Sequence, residues 1–197
     1  MTASYVTLES EMQVAKRFAR PDWIAVFDNA IKHAMPGLML EFGVAGGNSI
    51  RHVARLISPR RIHGFDWWNG LPESWKNNPA GAFACQMPTD LPVNVELVPG
   101  LFQDTLVEWL KMHNGPVAFV NMDADLYSST DFVLRQIESR FVHGTLIHFD
   151  EIRGEPGNLE AEGKAFIECL ERTGMIYKVL VKTGTEGALF QLRRQAW

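Results

Sequence analysis

Four acidic side chains lie at the ends of four short apolar runs in this sequence of 197 residues. The acids are Glu41, Asp66, Asp123 and Asp150, and each run has the length of a strand. Parallel strands point their carboxyl ends to one edge of an open sheet, and ligands bind beyond that edge. The spacing therefore predicts one binding site that combines the four carboxylates.

Two of these strand ends carry additional acids, which together could bind a cation. Asp123 and Asp125 follow one run, and Asp150 and Glu151 follow the next run. Crowded carboxylates repel one another unless a cation or a proton joins them. Ligand sets made only of oxygen suit Mg²⁺, Ca²⁺ or Mn²⁺. The alternative is that Asp123 and Asp125 cap the helix that follows them. His148 shares a side of its strand with Asp150, either as a proton acceptor or as a hydrogen-bonded core residue.

A glycine-rich turn, Gly43 to Gly47, joins the first apolar run to a helical pattern. Glycines allow a sharp turn and a close approach of ligand to backbone. The free N–H groups at a helix start favour an electron-rich ligand group. Strand, glycine turn and helix form the layout of a nucleotide-binding unit. Asp66, twenty residues past Gly46, could accept hydrogen bonds from both hydroxyls of a ribose.

The glycines alone do not separate the ligands that such a turn could hold. A plain turn without a ligand is one alternative, and a dinucleotide such as NAD is another. The strict dinucleotide pattern would need glycine where Ala45 and Asn48 lie. Glu41, two residues before Gly43, is placed to receive a ligand ammonium group. S-adenosylmethionine carries an ammonium, a ribose and an adenine, whereas NAD has no use for this acid.

Residues 67–92 form a long segment with weak periodicity between two predicted strands. Loops of this length in compact domains are usually functional or disordered. Its aromatic residues, Trp67, Trp68, Trp75 and Phe83, argue against disorder. These rings could pack on the adenine or the substrate, or they could simply anchor the loop.

Composition limits the partners and the location of the protein. The net charge is −4 and no block of lysine or arginine occurs, so we expect no nucleic-acid partner and no membrane partner. The first residues lack the layout of a signal peptide, and Cys85 and Cys169 make no disulfide framework. These features predict a cytoplasmic protein with a small-molecule partner. They leave open a homo-oligomer.

The order of elements predicts an α/β fold in a single domain over residues 1–197, with a helical extension over residues 1–36. Alternating strands and helices favour an open, mostly parallel sheet. A closing hairpin, with strands over Met175 to Lys182 and Ala188 to Arg193, would add one antiparallel strand.

The predicted bounds follow the apolar periodicity. Strands are expected over Leu38 to Phe42, Ile62 to Asp66, Val93 to Val98, Val117 to Met122 and Thr145 to Phe149. Helices are expected over residues 8–19, from Pro21 to about Ala34, over Asn48 to Ile57, over Phe102 to Met112, from the region of Ser129 or Thr130 as caps to about Phe141, and over Leu159 to Arg172.

Several motifs together resemble one enzyme family over roughly residues 38–170. They are Leu40-Glu41-Phe42-Gly43, Gly64-Phe65-Asp66 with Gly70-Leu71-Pro72-Glu73, Gly100-Leu101-Phe102, Asp123-Ala124-Asp125 with the residues to Thr130, and Phe149-Asp150-Glu151. Their order and spacing resemble class I S-adenosylmethionine-dependent methyltransferases of the macrocin O-methyltransferase (TylF/MycF-like) group. The Asp-x-Asp element is also similar to the caffeoyl-CoA type of metal-dependent O-methyltransferase.

The resemblance implies a Rossmann-like class I methyltransferase fold, with a seven-stranded sheet and helices on both faces. It also implies a cation, Mg²⁺, held by Asp123, Asp150 and Glu151, with the substrate oxygen as a further ligand. Two departures matter. Glu151 stands where the group often has a second aspartate, and Trp67-Trp68 replaces a Ser-Phe pair, so the wall of the pocket is expected to differ.

The expected activity is a Mg²⁺-dependent O-methylation of a small hydroxylated metabolite, a sugar or a natural-product scaffold. Either Asp123 or His148 would take the proton from the acceptor. The alternatives are an NAD-dependent oxidoreductase and a non-catalytic binding subunit with the same fold. The residues expected to contact S-adenosylmethionine are Glu41, Gly43, Val44, Ala45, Gly46, Asn48, Ser49, Asp66, Trp67, Gly100, Leu101, Phe102 and Asp123.

Overall fold

A seven-stranded sheet forms the centre of the computed structural model, which describes residues 20–153 and 159–194. The strands lie in the order β3-β2-β1-β4-β5-β7-β6. All neighbours pair in parallel except β7, which is antiparallel to β5 and to β6. The predicted fold class and the single antiparallel strand are thus confirmed. The strands are β1 Leu38–Phe42, β2 Ile62–Asp66, β3 Val95–Pro99, β4 Val117–Met122, β5 Leu146–Phe149, β6 Ile176–Thr183 and β7 Gly187–Arg193.

Helices cover both faces of this sheet, as predicted. They are α1 Arg20–Lys32, α2 Asn48–Ile57, α3 Phe102–Met112, α4 Tyr127–Ile137 and α5 Lys164–Thr173, with a 3-10 turn at Glu138–Arg140 and a π-helical turn at Leu159–Gly163. Helices α1 and α2 pack on one face, and α3, α4 and α5 pack on the other. The predicted helix over residues 8–19 lies outside the described residues. No helix in the described ranges has both the length and the apolar character needed to cross a membrane.

The central strands are buried on both sides, which explains their continuous apolar runs. All six residues of β4 are buried, and alternate residues of β1 pack into opposite cores. Phe42 at the end of β1 stacks on Phe65 of β2, with 4.8 Å between ring centroids. Parallel strands covered by helices on both faces require this composition.

Several predicted bounds shift by a few residues in the structure, and one capping prediction is wrong. Helix α4 begins at Tyr127 after Leu126, without a side-chain cap, and the proposed caps Ser129 and Thr130 are buried within its first turn. Leu126, the residue before this helix, is buried. Strand β3 starts at Val95, because Asn94 turns inward and donates hydrogen bonds to carbonyls of α2 and of the following loop. Strand β5 starts one residue later than predicted, at Leu146.

The first glycine of the turn permits the closest approach between two strand ends. Gly43 has a φ of +87°, and a Cβ atom there would lie 1.8 Å from the carbonyl oxygen of Asp123. The Asp123 N–H in turn donates to the Phe42 carbonyl at 2.9 Å. Only glycine combines this positive φ with the absence of a Cβ. The ends of β1 and β4 are held together here, and both carry acids of the predicted site.

Gly43→Ala should lower the free energy of unfolding by about 2–4 kcal/mol, because steric overpacking and an unfavourable φ both add to the cost. Urea denaturation checks this. Gly46→Ala is the matched control, since a Cβ there meets no atom within 4 Å. Equal stability of the two variants would contradict the role assigned to the contact.

Candidate active site

The carboxyl ends of β1, β2, β4 and β5 bring together the four acids that the sequence singled out. Two cavities open at this edge, one of about 350 Å³ and one of about 370 Å³. Asp123 lines both cavities. The predicted convergence of the strand ends is therefore observed, with Asp123 at its centre.

The first cavity collects most of the residues predicted to bind a nucleoside. The wall combines the turn after β1, the end of β2, the start of α3 and the aromatic segment after β2. The lining includes Gly43, Ala45, Asp66, Trp67, Gly100, Leu101, Phe102 and Asp123 from the predicted set, together with Trp75 and Phe83. A flat apolar wall beside carboxylates suits a purine joined to a ribose.

Asp66 holds the glycine-rich turn in place as well as facing the first cavity. One carboxylate oxygen, Oδ2, accepts hydrogen bonds from the N–H groups of Val44 and Ala45, at 2.9 and 2.8 Å. The other, Oδ1, accepts one from the Trp68 N–H at 2.8 Å. An ionised carboxylate offers about four acceptor positions, so one position remains for a ligand hydroxyl. The sequence did not indicate this clamping role.

Glu41 is buried below the turn with one carboxylate oxygen unsatisfied. The Ser49 hydroxyl donates to Oε1 at 2.7 Å, whereas Oε2 has no hydrogen-bond partner. Burial raises the pKa of Glu41 to about 8, although the neighbouring donors Ser49, Asn121 and the Ile50 N–H oppose the shift. A buried polar atom without a partner is costly. A ligand ammonium would satisfy Oε2 and would favour the ionised carboxylate.

A row of hydrogen-bonded polar side chains continues from Glu41 across the sheet. Asn121 is the register neighbour of Glu41 on one side and of His148 on the other. His148 Nδ1 lies 2.6 Å from Asn121 Oδ1, and Nε2 lies 2.7 Å from the Thr183 hydroxyl. Burial lowers the pKa of His148 to about 4. Both ring nitrogens are engaged, so this geometry favours a positioning role for His148 over proton transfer.

The second cavity lies on the α1 and α2 face and contains polar residues that the sequence analysis missed. His52 of α2 bonds through Nε2 to Asp28 Oδ1 of α1 at 2.8 Å. This pair lines the cavity with Ser49, Asp123 and Asp150. The spacing of Ser49 and His52 on one helix was visible in the sequence. The position of α1 was not, because a separate amphipathic helix carries no information about where it docks.

Negative charge is concentrated around Asp123 beyond the predicted residues. Burial raises the pKa of Asp123 well above its usual value, and the charges of Asp150 and Asp125 raise it further. Burial also raises the pKa of Asp125, to about 6. Glu162, which the sequence analysis missed, is fully buried and accepts from the N–H groups of Ala124 and Glu151, at 3.3 Å each. Its pKa is raised well above the ordinary value, first by burial and then by Asp123.

The three predicted metal ligands lie at one edge, but their oxygens do not form a tight cluster. Asp123 and Asp150 both line the second cavity, and Glu151 lines the first cavity with Asp123. The Lys76 ammonium donates to Glu151 Oε2 at 3.1 Å. Within the described ranges, the three ligand atoms that do lie within 4.8 Å of one another belong to a different set of residues, on β2, β3 and the end of α3. The metal assignment therefore stays a prediction.

The aromatic segment after β2 is fastened over the site by side-chain contacts. Trp68 is buried and donates through Nε1 to the Ala45 carbonyl at 2.9 Å. Arg51 of α2 pairs with Asp90 at 2.9 Å. The Ser128 hydroxyl bonds to Glu73 at 2.5 Å. These contacts hold aromatic rings against the first cavity.

Backbone strain is also concentrated here. Ala45, Trp68 and Asp125 all line or border the first cavity and adopt positive φ angles of 45°, 58° and 59°. Non-glycine residues with positive φ persist where the surrounding structure holds them, and they are enriched at functional sites. Their location supports the assignment of this edge as the site.

Comparison with known proteins agrees with this architecture. Residues 40–152 match a family described as a methyltransferase domain. No curated protein matches significantly. The calicheamicin methyltransferase CalS11, which another structure names a TDP-rhamnose 3'-O-methyltransferase, is similar with a TM-score of 0.66 and 22% identity, over 87% of this chain and 77% of that chain.

Two further structures have the same fold. The O-methyltransferase NovP is similar with a TM-score of 0.64 and 20% identity, over 86% of this chain and 80% of that one. An O-methyltransferase from Bacillus cereus, in complex with SAH, is similar with a TM-score of 0.54 and 18% identity, over 98% and 93% of the two chains. At these identities the likeness establishes the fold.

The raised pKa of Glu41 predicts a specific dependence of stability on pH. Between pH 4.5 and about 8 the unfolded state has released the Glu41 proton while the folded state retains it, so the stability contribution of this proton is lost as pH rises. At about 1.4 kcal/mol per pKa unit, the loss amounts to about 3–5 kcal/mol.

Glu41→Gln should remove this loss, so its stability relative to the wild type should increase by about that amount between pH 5 and 8.5. Urea denaturation without ligand at both pH values checks it. Glu108→Gln, at an exposed acid, is the control and should change by less than about 0.5 kcal/mol. A parallel pH response of Glu41→Gln and wild type would mean that Glu41 is ionised in the folded protein.

Proposed function

The chain belongs to the methyltransferase-domain family, and on that premise we propose that it transfers the methyl group of S-adenosylmethionine to a hydroxyl oxygen of a small molecule. The observation that carries this proposal is the unpartnered carboxylate oxygen of the buried Glu41, beside a glycine-rich turn. Family membership removes the NAD-dependent oxidoreductase from consideration.

The donor would span the site from the first cavity to the turn. One ribose hydroxyl would reach the single free acceptor position of Asp66, instead of the two hydroxyls expected from the sequence, and the adenine would lie against Trp67 and the backbone of Gly100 to Phe102. The methionine portion would follow the turn from Gly43 to Ser49, with its ammonium at Glu41. Val44, Ala45, Gly46 and Asn48 form this turn or border it, so their backbone shapes the path of the ligand.

The acceptor would approach from the side of Asp123 and the second cavity. Transfer is an in-line displacement at the sulfonium methyl, so alignment of the acceptor oxygen supplies much of the rate. A sugar hydroxyl is a reasonable acceptor, because CalS11 is described as a TDP-rhamnose 3'-O-methyltransferase. Membership of the macrocin (TylF/MycF-like) group stays a prediction from the motifs.

Asp123 is the better candidate for the group that takes the acceptor proton. It lines both cavities, and its raised pKa gives its carboxylate a stronger affinity for a proton. His148, the other candidate, already uses both ring nitrogens for hydrogen bonds. We assign His148 to the positioning of Asn121 and, through it, of the polar row that ends at Glu41.

The carboxylate oxygens around Asp123 have the chemistry that suits a hard divalent cation, although they would have to move closer together to bind it. Asp123, Asp150 and Glu151 would hold it. Burial, and after it the charge of neighbouring carboxylates, raises the pKa of Asp123 and of Asp150, and a cation would offset both effects. A bound Mg²⁺ would lower the pKa of an acceptor hydroxyl and orient it. Glu151 is paired with the Lys76 ammonium, so Glu151 would have to leave this ion pair before it could bind the cation.

The remaining expectations from composition stay predictions. They are a cytoplasmic location, the absence of nucleic-acid and membrane partners, and a homo-oligomer as an open option.

Methyl transfer from isotopically labelled S-adenosylmethionine tests the proposal directly. A panel of nucleotide sugars, glycosides and phenols, each with a matched analogue lacking the hydroxyl, should give a labelled methyl ether only with the hydroxylated compounds. Transfer to nitrogen-bearing acceptors alone would overturn O-methylation. Donor binding without transfer to any acceptor would favour the non-catalytic subunit.

The assignment of Glu41 predicts a selective loss of donor affinity. Glu41→Gln should weaken S-adenosylhomocysteine binding about 10- to 100-fold, because a bond between charged groups is worth roughly 1.5–3 kcal/mol. It should change the affinity for deaminated S-adenosylhomocysteine much less, because that ligand lacks the ammonium that Glu41 would bind. Calorimetry with both ligands checks the difference. Equal losses for both ligands would place the ammonium elsewhere.

The metal assignment predicts that methyl transfer, and not donor binding, needs a cation. EDTA should abolish transfer and Mg²⁺ or Mn²⁺ should restore it, while the affinity for S-adenosylhomocysteine should barely change. Asp150→Asn should reproduce the effect of EDTA, and Glu151→Gln should do so less strongly because of its pairing with Lys76. Activity assays and calorimetry on the same samples separate the two steps. Full activity in EDTA would leave Asp123 as a general base without a metal.

A further inference from the structure

A second cluster of potential metal ligands lies at the β2–β3 side of the sheet, away from the strand ends that form the proposed active site. His63 of β2 and Glu96 of β3 are register neighbours, and His113 follows the last turn of α3. One ligand atom from each of the three lies within 4.8 Å of the other two. We propose that His63, Glu96 and His113 form a binding site for a zinc-like transition-metal ion.

The buried histidine of this cluster has a ring nitrogen without a hydrogen-bond partner, which a metal ion could bind. The His63 side chain is 8% exposed, and its Nδ1 has no hydrogen-bond partner. The nearest acid oxygen, Glu96 Oε2, is 3.3 Å away and does not meet hydrogen-bond geometry with it. Buried ring nitrogens are rarely left without a partner. A metal ion between Nδ1 and Oε2 would satisfy both atoms.

The tautomer of the second histidine is fixed by a backbone carbonyl. His113 Nδ1 lies 2.8 Å from the Trp109 carbonyl, so Nδ1 carries the proton and Nε2 keeps its lone pair. The imidazole also stacks on the Trp109 indole, with 3.9 Å between centroids. Arg140 donates to the carbonyls of His113 and Leu110, which fixes the backbone at this point. Partners of this kind orient the histidines of known metal sites.

The two oxygens of the Glu96 carboxylate face different residues. Arg61 pairs with Glu96 Oε1, and this leaves Oε2 directed at His63. The Arg61 side chain is largely exposed, so water screens its charge from an ion at the site. Two imidazoles and one carboxylate suit zinc and its neighbours and disfavour magnesium, which prefers oxygen ligands alone. Three protein ligands leave room for a water molecule.

The location gives the ion a structural consequence. It would join the edge strand β3 to β2 and to the end of α3. The residues that connect β3 to α3, Gly100 and Leu101, line the first cavity. The metal would therefore stabilise the unit that carries one wall of this cavity, and it would do so whether or not the proposed methyl transfer takes place.

Titration of the untagged protein with Co²⁺ and Zn²⁺, in excess Mg²⁺, tests the site. One equivalent of Co²⁺ should bind with the visible absorption of a four-coordinate complex, Zn²⁺ should displace it, and Zn²⁺ should raise the melting temperature. Glu96→Gln and His113→Ala should each weaken binding by more than the roughly 10- to 100-fold that loss of an outer partner costs. His143→Ala, at an exposed histidine, is the control and should bind as the wild type does.

Glu96→Gln retains the size of the side chain, so it keeps the test valid if His113→Ala unfolds. Binding that survives Glu96→Gln unchanged, or that Mg²⁺ abolishes, would place the ion at the acidic residues of the proposed active site. No binding by the wild type would make the cluster an ordinary contact between strands. Either result overturns the proposal, and neither affects the assignment of the methyl donor.

Discussion

Negative charge buried at the carboxyl edge of the sheet is the constraint on which the rest of this site depends. Glu41, Asp123 and Glu162 all lose solvent there, and burial is the largest cause of the raised pKa of each. Without cations, the folded protein can hold these groups mainly by keeping them protonated. A ligand with positive charge converts this cost into binding energy, because it replaces the proton at a carboxylate that is already in place. Stability without ligand and affinity for ligand are therefore opposed at the same atoms.

Backbone contacts at the strand ends, more than pairing between side chains, keep these acids close together. The glycine turn lets the ends of β1 and β4 approach to contact distance, and Asp66 holds that turn from the neighbouring strand. The positive φ angles of Ala45 and Asp125 occur on the same loops. Strain and buried charge are tolerated together because the parallel sheet below is rigid and buried on both faces.

The two cavities differ in the chemistry of their walls. The aromatic segment after β2 shapes the first cavity for a flat ring, while α1 and α2 enclose a polar second cavity with His52 and Asp28. Asn121 and His148, which belong to the polar row that starts at Glu41, line this second cavity. Because His148 is buried and bonded at both nitrogens, the row serves to hold Asn121 and Glu41 in position. Asp123, which borders both cavities, is the residue through which the two halves of the proposed reaction meet.

Local sequence patterns determined the elements and their order along the chain, whereas the order of the strands within the sheet came from the tertiary structure. Several strands and helices, such as β4 and α3, have the predicted bounds, because their apolar periodicity and the glycine and proline residues at their ends act over a few neighbouring residues. The acids at the strand ends were predictable for the same reason, since each directly follows its strand. Only the tertiary structure decided which distant side chains meet. It placed Glu162 beneath Asp123, paired Asp28 with His52, joined Lys76 to Glu151 and engaged both nitrogens of His148. Those contacts depend on how helices and loops dock on the sheet, and docking is set by packing between segments far apart in the chain, which no local pattern records.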